Sequence, residues 1–100
     1  MSKVSDNRTG DITEHRAVVW LLAQGLEVFR NECCVGPIDI ISYNTETKEI
    51  LKIDVKTGTS YINKDGTRNI SCQKQTDTQK ELDIKILRYD KEEDTFEFIS

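Results

Sequence analysis

Residues 36–58 read GPIDIISYNTETKEILKIDVKTG, two apolar runs divided by the polar, turn-favouring NTETK. The runs are rich in isoleucine and valine, and a short polar connection between such runs makes a hairpin. The pattern predicts strands over 38–43 and 49–56. Side chains alternate across a strand, so Asp39, Ile41 and Tyr43 share one face of the first and Ile38, Ile40 and Ser42 the other. In the second, Leu51, Ile53 and Val55 oppose Ile50, Lys52, Asp54 and Lys56. In an antiparallel pair with Asp39 opposite Asp54, Tyr43 falls opposite Ile50. That register gathers Ile38, Ile40, Ile53 and Val55 on one face and both aspartates with Lys56 on the other. A slip of one residue would mix the two sets, so the apolar pattern itself selects the register.

Two carboxylates opposed on neighbouring strands repel unless positive charge lies between them. Lys56 supplies some. A divalent cation suits the arrangement better, because magnesium prefers hard oxygen ligands in an octahedral shell with positions left for water and substrate. Such an ion can bind a phosphate oxygen, lower the pKa of a bound water and stabilise developing negative charge. Lys56 then orients that water or neutralises the phosphate, and the constellation points to phosphodiester hydrolysis. The plainer alternative makes Asp39 a strand cap beside Pro37, with Asp54 and Lys56 as neighbours on a solvated sheet face.

Outward from the hairpin, DITEHRAVVWLLAQ (11–24) reads as a helix, with Asp11 as cap, Glu14 three residues on and Gly25 as the stop. Ile12, Val18, Val19, Trp20 and Leu22 form a broad apolar stripe for packing on a sheet. LEVFR (26–30) is a short strand and NECCVGP (31–37) a loop. In 57–81, Lys64-Asp65-Gly66 marks a turn and RNISC a candidate strand, and the rest reads as loop with no amphipathic helix. LDIKILRY (82–89) and TFEFI (95–99) are strands across the polar turn DKEED. The fold class is α/β in the α+β sense, a mixed central β-sheet with the N-terminal helix packed on it.

At 100 residues the chain reads as one domain spanning 1–100, with 1–9 a flexible N-terminus. A formal charge of -4 gives no general attraction to nucleic acid, so a DNA partner would need locally placed charge. No apolar run approaches a membrane span, and the polar start lacks a secretory core, which places the chain in a cytoplasm. Cys33, Cys34 and Cys72 fit neither a disulfide framework nor paired zinc spacing and read as free thiols.

Glu14, Asp39, Asp54 and Lys56 together resemble the PD-(D/E)XK nuclease superfamily. Its pattern has a helical carboxylate, an aspartate at the start of one strand, and an acidic residue, one intervening residue and lysine on the next. Ile38 intrudes between Pro37 and Asp39, and Asp54 stands where glutamate is commoner. GDITEHRAVVWLLAQGLEVFR is similar to the opening of small members of this superfamily. LDIKILRYDKEEDTFEFIS is similar to the closing hairpin of the branch that includes intron-associated homing endonucleases. Archaeal-type Holliday junction resolvases share the front half but follow the lysine strand with an amphipathic helix.

The resemblance implies a restriction-endonuclease-like core and a magnesium-dependent DNA endonuclease, with manganese able to substitute. It makes Glu14, Asp39 and Asp54 metal-facing and Lys56 catalytic. Glu14 also fits a capping box begun by Asp11. His15 is turned about 100° from Glu14 on a helix and reads as a solvated or packing residue.

Arg8, Arg16, Lys52, Lys64, Arg68, Lys74 and Lys80 are candidates for phosphate contacts, while Asn63, Asn69, Gln73, Gln75 and Gln79 have the chemistry to read base edges. One such site cuts one strand, so a homodimer or larger assembly is expected, with Ile41, Tyr43 and Phe98 as interface candidates. A site-specific homing-type enzyme is the leading expectation and a junction resolvase the alternative. A non-catalytic DNA-binding module of the same fold, and a zinc module built on the cysteines and His15, are further alternatives.

Overall fold

The computed structural model describes residues 6–32, 36–71 and 75–99. In chain order these form α1 (Asp6–Ala23), β1 (Glu27–Arg30), β2 (Ile40–Tyr43), β3 (Ile50–Ile62), β4 (Arg68–Ser71), α2 (Asp77–Glu81), β5 (Lys85–Asp90) and β6 (Thr95–Phe98). The strands lie in the order β1-β2-β3-β5-β6, with β4 paired to the far part of β3. β3 and β5 run parallel and the other neighbours antiparallel. The fold is thus the expected mixed sheet with an N-terminal helix packed on it.

The β2–β3 register pairs Ile40 with Ile53, Ile41 with Lys52, Ser42 with Leu51 and Tyr43 with Ile50, as the apolar pattern demands. Ile40 and Ile53 are fully buried against Ala17 and Leu21 of α1 and Leu87 of β5. Val55 and Leu51 border this core, so the odd-numbered face of β3 looks at the helix and the even-numbered face looks away.

α1 begins at Asp6, earlier than expected, so Asp11 lies inside the helix and cannot cap it. Residues 6–9, expected as flexible N-terminus, are helical. The C-terminal stop is as expected: Gly25 takes φ 84°, and Leu26 N–H donates to Leu21 O (3.4 Å) while Gly25 N–H donates to Leu22 O (3.0 Å). This is the paired closure that a left-handed glycine allows. The buried stripe is narrower than expected. Thr13, Ala17 and Leu21 line it one turn apart, whereas Ile12, Val19 and Leu22 are 42%, 66% and 52% exposed. Small Ala17 at the centre admits a close helix–sheet approach, reinforced where Thr57 Oγ1 donates to Thr13 Oγ1 at 3.1 Å.

Much of the segment expected as loop is ordered structure. β3 continues through Ile62 and folds back as β4, pairing Thr59 with Ser71 and Ile62 with Arg68. Gly66 at φ 89° makes the turn between them. Five-residue α2 follows, with a reciprocal cap in which Thr76 Oγ1 accepts from Gln79 N and Gln79 Oε1 accepts from Thr76 N. Residues 82–84, expected in a strand, instead close α2 and lead into β5. Cys33, Cys34 and Cys72 lie outside the described residues. Among those described, no helix is long and apolar enough to cross a membrane.

Candidate active site

Asp39 sits just before β2, in a segment fixed by its backbone. Asp39 N–H donates to Ile53 O, Asn31 N–H to Asp39 O and Asn31 Nδ2 to Ile38 O, each at 2.9 Å. Its carboxylate then takes a strand donor: Oδ2 accepts Val55 N–H at 2.8 Å. Asp54, on the adjoining part of β3, is buried. Its Oδ2 accepts from Gln79 Nε2 at 2.6 Å and lies 3.2 Å from Lys56 Nζ. Asp54 and Lys56 share one side of β3 because they are two residues apart.

The two carboxyl groups lie close enough to act on one another. Burial, the neighbouring Asp54 carboxyl and the negative charge of Glu14 push the Asp39 carboxyl up to about 7 against the opposing Val55 N–H. A half-buried carboxyl raised in this way retains a proton near neutral pH, or exchanges it for a cation. The donor set is carboxylate oxygen in a partly dry setting, which fits a hard divalent ion. A cleft of about 230 Å³ lined by Arg30, Asn31, Ile38 and Asp39 opens beside the pair.

Glu14 is placed differently from Asp39 and Asp54. Its Oε1 accepts from Arg30 Nη2 at 3.0 Å and Arg30 Nε at 3.2 Å, and Arg30 Nη2 also lies 3.6 Å from Asp11 Oδ1. Glu14 contributes charge to Asp39, yet no three His, Cys, Asp or Glu side chains among the described residues gather as a metal-binding group. His15 points to Asp11, with Nε2 and Oδ2 3.6 Å apart, on the exposed surface.

The candidate DNA contacts divide by position. Lys52 lies on the same side of β3 as Asp54 and Lys56 and pairs across from Ile41. Arg8, Lys64 and Lys80 are exposed, Lys64 at the turn between β3 and β4. Arg16 is exposed and 3.6 Å from Asp94. Arg68 is committed internally, with Nη2 donating to both Asp90 oxygens (2.8 and 2.9 Å) and Nε to Glu92 (3.3 Å). Gln75 donates to the Ile84 carbonyl. Asn63 bonds Thr67 at 3.3 Å, and Asn69 is exposed opposite Tyr61. Gln73 and Lys74 lie outside the described residues. Gln79 is buried beneath the acidic pair, not presented for base contact.

Two contributors escape a reading of composition alone, Arg30 and the buried Gln79. The signal for Gln79 was the spacing Thr76-Asp77-Thr78-Gln79, a capping-box pattern. Arg30 at the end of a short edge strand carried no comparable mark.

No protein-family model and no curated protein matches the sequence. A solved structure does. The fold is shared with a bacterial homing endonuclease. That structure, of I-Ssp6803I, aligns with a TM-score of 0.70 at 20% identity, over 97% of this chain and 66% of the other. The chain therefore spans just under two thirds of its neighbour's length, and identity at this level speaks to the arrangement of helix and sheet.

Proposed function

We propose that the chain is a magnesium-dependent DNA endonuclease of homing type, a reading carried by one observation: the neighbouring, interacting carboxyl groups of Asp39 and Asp54 with Lys56 3.2 Å from Asp54. The shared fold with a homing endonuclease supports it. Asp39 and Asp54 would hold the ion, with Glu14 adding negative charge from α1. When bound, magnesium or manganese supplies charge neutralisation at the phosphate and makes a water more acidic.

The protein's own groups do the rest. Val55 N–H fixes one oxygen of Asp39, and the segment 37–39 is anchored by Asn31. The Lys56 side chain is 28% exposed, so its ammonium meets solvent and substrate while remaining tied to Asp54. There it orients the attacking water or offsets charge on the phosphate. Lys52, farther along the same side of β3, and the exposed Arg8 and Lys64 supply phosphate contacts. Arg16 adds to these beyond its link to Asp94. Arg68 and Gln75 serve first to hold the fold.

Two sites are needed for a double-strand cut, and we assign a homodimer to the active form. Phe98 is 37% exposed, while Ile41 and Tyr43 are half-buried. Larger apolar exposure lies at Ile62 (75%), Val19 (66%) and Ile50 (61%). Sedimentation that stays monomeric at every concentration would contradict this assignment.

Cleavage of linear duplex, supercoiled plasmid and a synthetic four-way junction, with magnesium or manganese, tests the reading. Cutting at a defined duplex sequence is the expected result. Symmetric nicking of the junction alone would make the chain a resolvase. DNA binding without cleavage would make it a non-catalytic module.

A further inference from the structure

The geometry points to Gln79 as a positioning residue that holds Asp54 for metal binding from the side opposite the substrate, an inference that rests on the metal-site reading above. Gln79 is 5% exposed, and a buried amide must satisfy its acceptor and both donors. Here each is used. Oε1 accepts Thr76 N–H at 3.0 Å, and Nε2 donates to Asp54 Oδ2 at 2.6 Å and to Pro37 O at 3.4 Å.

The cap decides which way the amide faces. Thr76 N–H can only donate, so it requires the carbonyl oxygen of Gln79, and this directs the NH2 group at Asp54. One side chain thereby links three parts of the site: the start of α2, the carboxylate of β3 and the segment bearing Asp39. With Lys56 on the same oxygen, Asp54 is held by donors on both sides. A carboxylate that binds a metal is commonly oriented by such hydrogen bonds, and losing one typically weakens affinity or activity about 10- to 100-fold.

Magnesium chloride titrated into the full chain tests this, with the side-chain amide of Gln79 and the backbone amides of Asp39, Asp54 and Lys56 followed by NMR. The Gln79 NH2 signals are expected to shift saturably with the same midpoint as Asp39 and Asp54, because the ion draws charge from the oxygen they touch. Gln79→Met, similar in volume but without donors, is expected to weaken magnesium binding about 10- to 100-fold. Thr76→Ala removes the hydroxyl half of the cap and keeps the Gln79 amide, and is expected to bind as wild type.

Stationary Gln79 signals while Asp39 and Asp54 titrate would overturn the inference and leave the metal site standing. So would wild-type affinity in Gln79→Met, or an equal loss in Thr76→Ala, which would trace the effect to α2 stability. If no residue titrates, the metal-site reading fails and the role of Gln79 falls with it. Should Gln79→Met not fold, the wild-type titration decides.

Discussion

Asp39, just before β2, lies beside Asp54 of β3, and burial together with that neighbouring carboxyl pushes the Asp39 carboxyl up to about 7. Its folded value lies above the ordinary 3.8. Between those limits the folded chain keeps a proton that the unfolded chain has released. Stability contributed by this proton is full below about pH 4 and is lost as pH rises through about 7. In metal-free protein, Asp39→Asn should flatten that part of the pH–stability profile and raise the melting temperature at pH 8. Thermal melts from pH 4 to 8 check this, and a parallel profile for the variant would refute it.

Magnesium should reverse the same trend. Because the ion competes with the proton on Asp39, its affinity rises with pH through about 7, and binding at about pH 6 releases protons. Calorimetry in two buffers of different ionisation enthalpy measures the release. Identical apparent enthalpies in both would show that the proton is not displaced.

Arg30 is ion-paired with Glu14, whose charge reaches Asp39. Arg30→Ala breaks an ion pair whose side chains are 32% and 18% exposed, so stability should fall by about 1–2 kcal/mol. Magnesium should nevertheless bind more tightly, since a positive charge is removed and Glu14 is released towards Asp39. Weaker binding would mean that Arg30 orients Glu14 for the ion instead of competing with it.

Gly58 is the close-approach point between β3 and its neighbours. A Cβ there would meet Ile70 Cγ2 at 2.6 Å and Arg88 Cδ at 3.2 Å. The Ile70 methyl is attached at a branched Cβ and has little room to swing aside. Gly58→Ala should therefore cost about 1–3 kcal/mol through overpacking. Adding Ile70→Ala should recover part of it, so that the double variant is less destabilised than the sum of the singles. Additivity in denaturant melts would show that the two sites are independent.

How legible these features were depends on how local their cause is. The β2–β3 register followed from alternation alone, because only one pairing buries Ile40 with Ile53. The same alternation placed Asp54 and Lys56 on one face. Asp11 resembles a cap in sequence, yet α1 runs from Asp6. Its outward face was misjudged because Ile12, Val19 and Leu22 are apolar without being buried, and tertiary contact, not hydropathy, chose the stripe. The β3 extension is hidden by polar TGTS, whose Thr57 and Gly58 pair with β5 and Thr59 and Ser60 with β4. In sequence Gln79 looks like one more polar loop residue, because its burial depends on α2 meeting β3 through a contact 25 residues apart in sequence.

Cleavage by wild type and Lys56→Ala tests the central claim most directly, using a randomised duplex library plus a four-way junction and sequencing the newly made ends. The account predicts magnesium-dependent ends with wild type, none with chelator, and a rate lower by about 10²–10³ for Lys56→Ala, with magnesium affinity no weaker. Equal cleavage by both proteins, or cleavage unaffected by chelator, would contradict the assignment of the Asp39–Asp54–Lys56 face as the catalytic site.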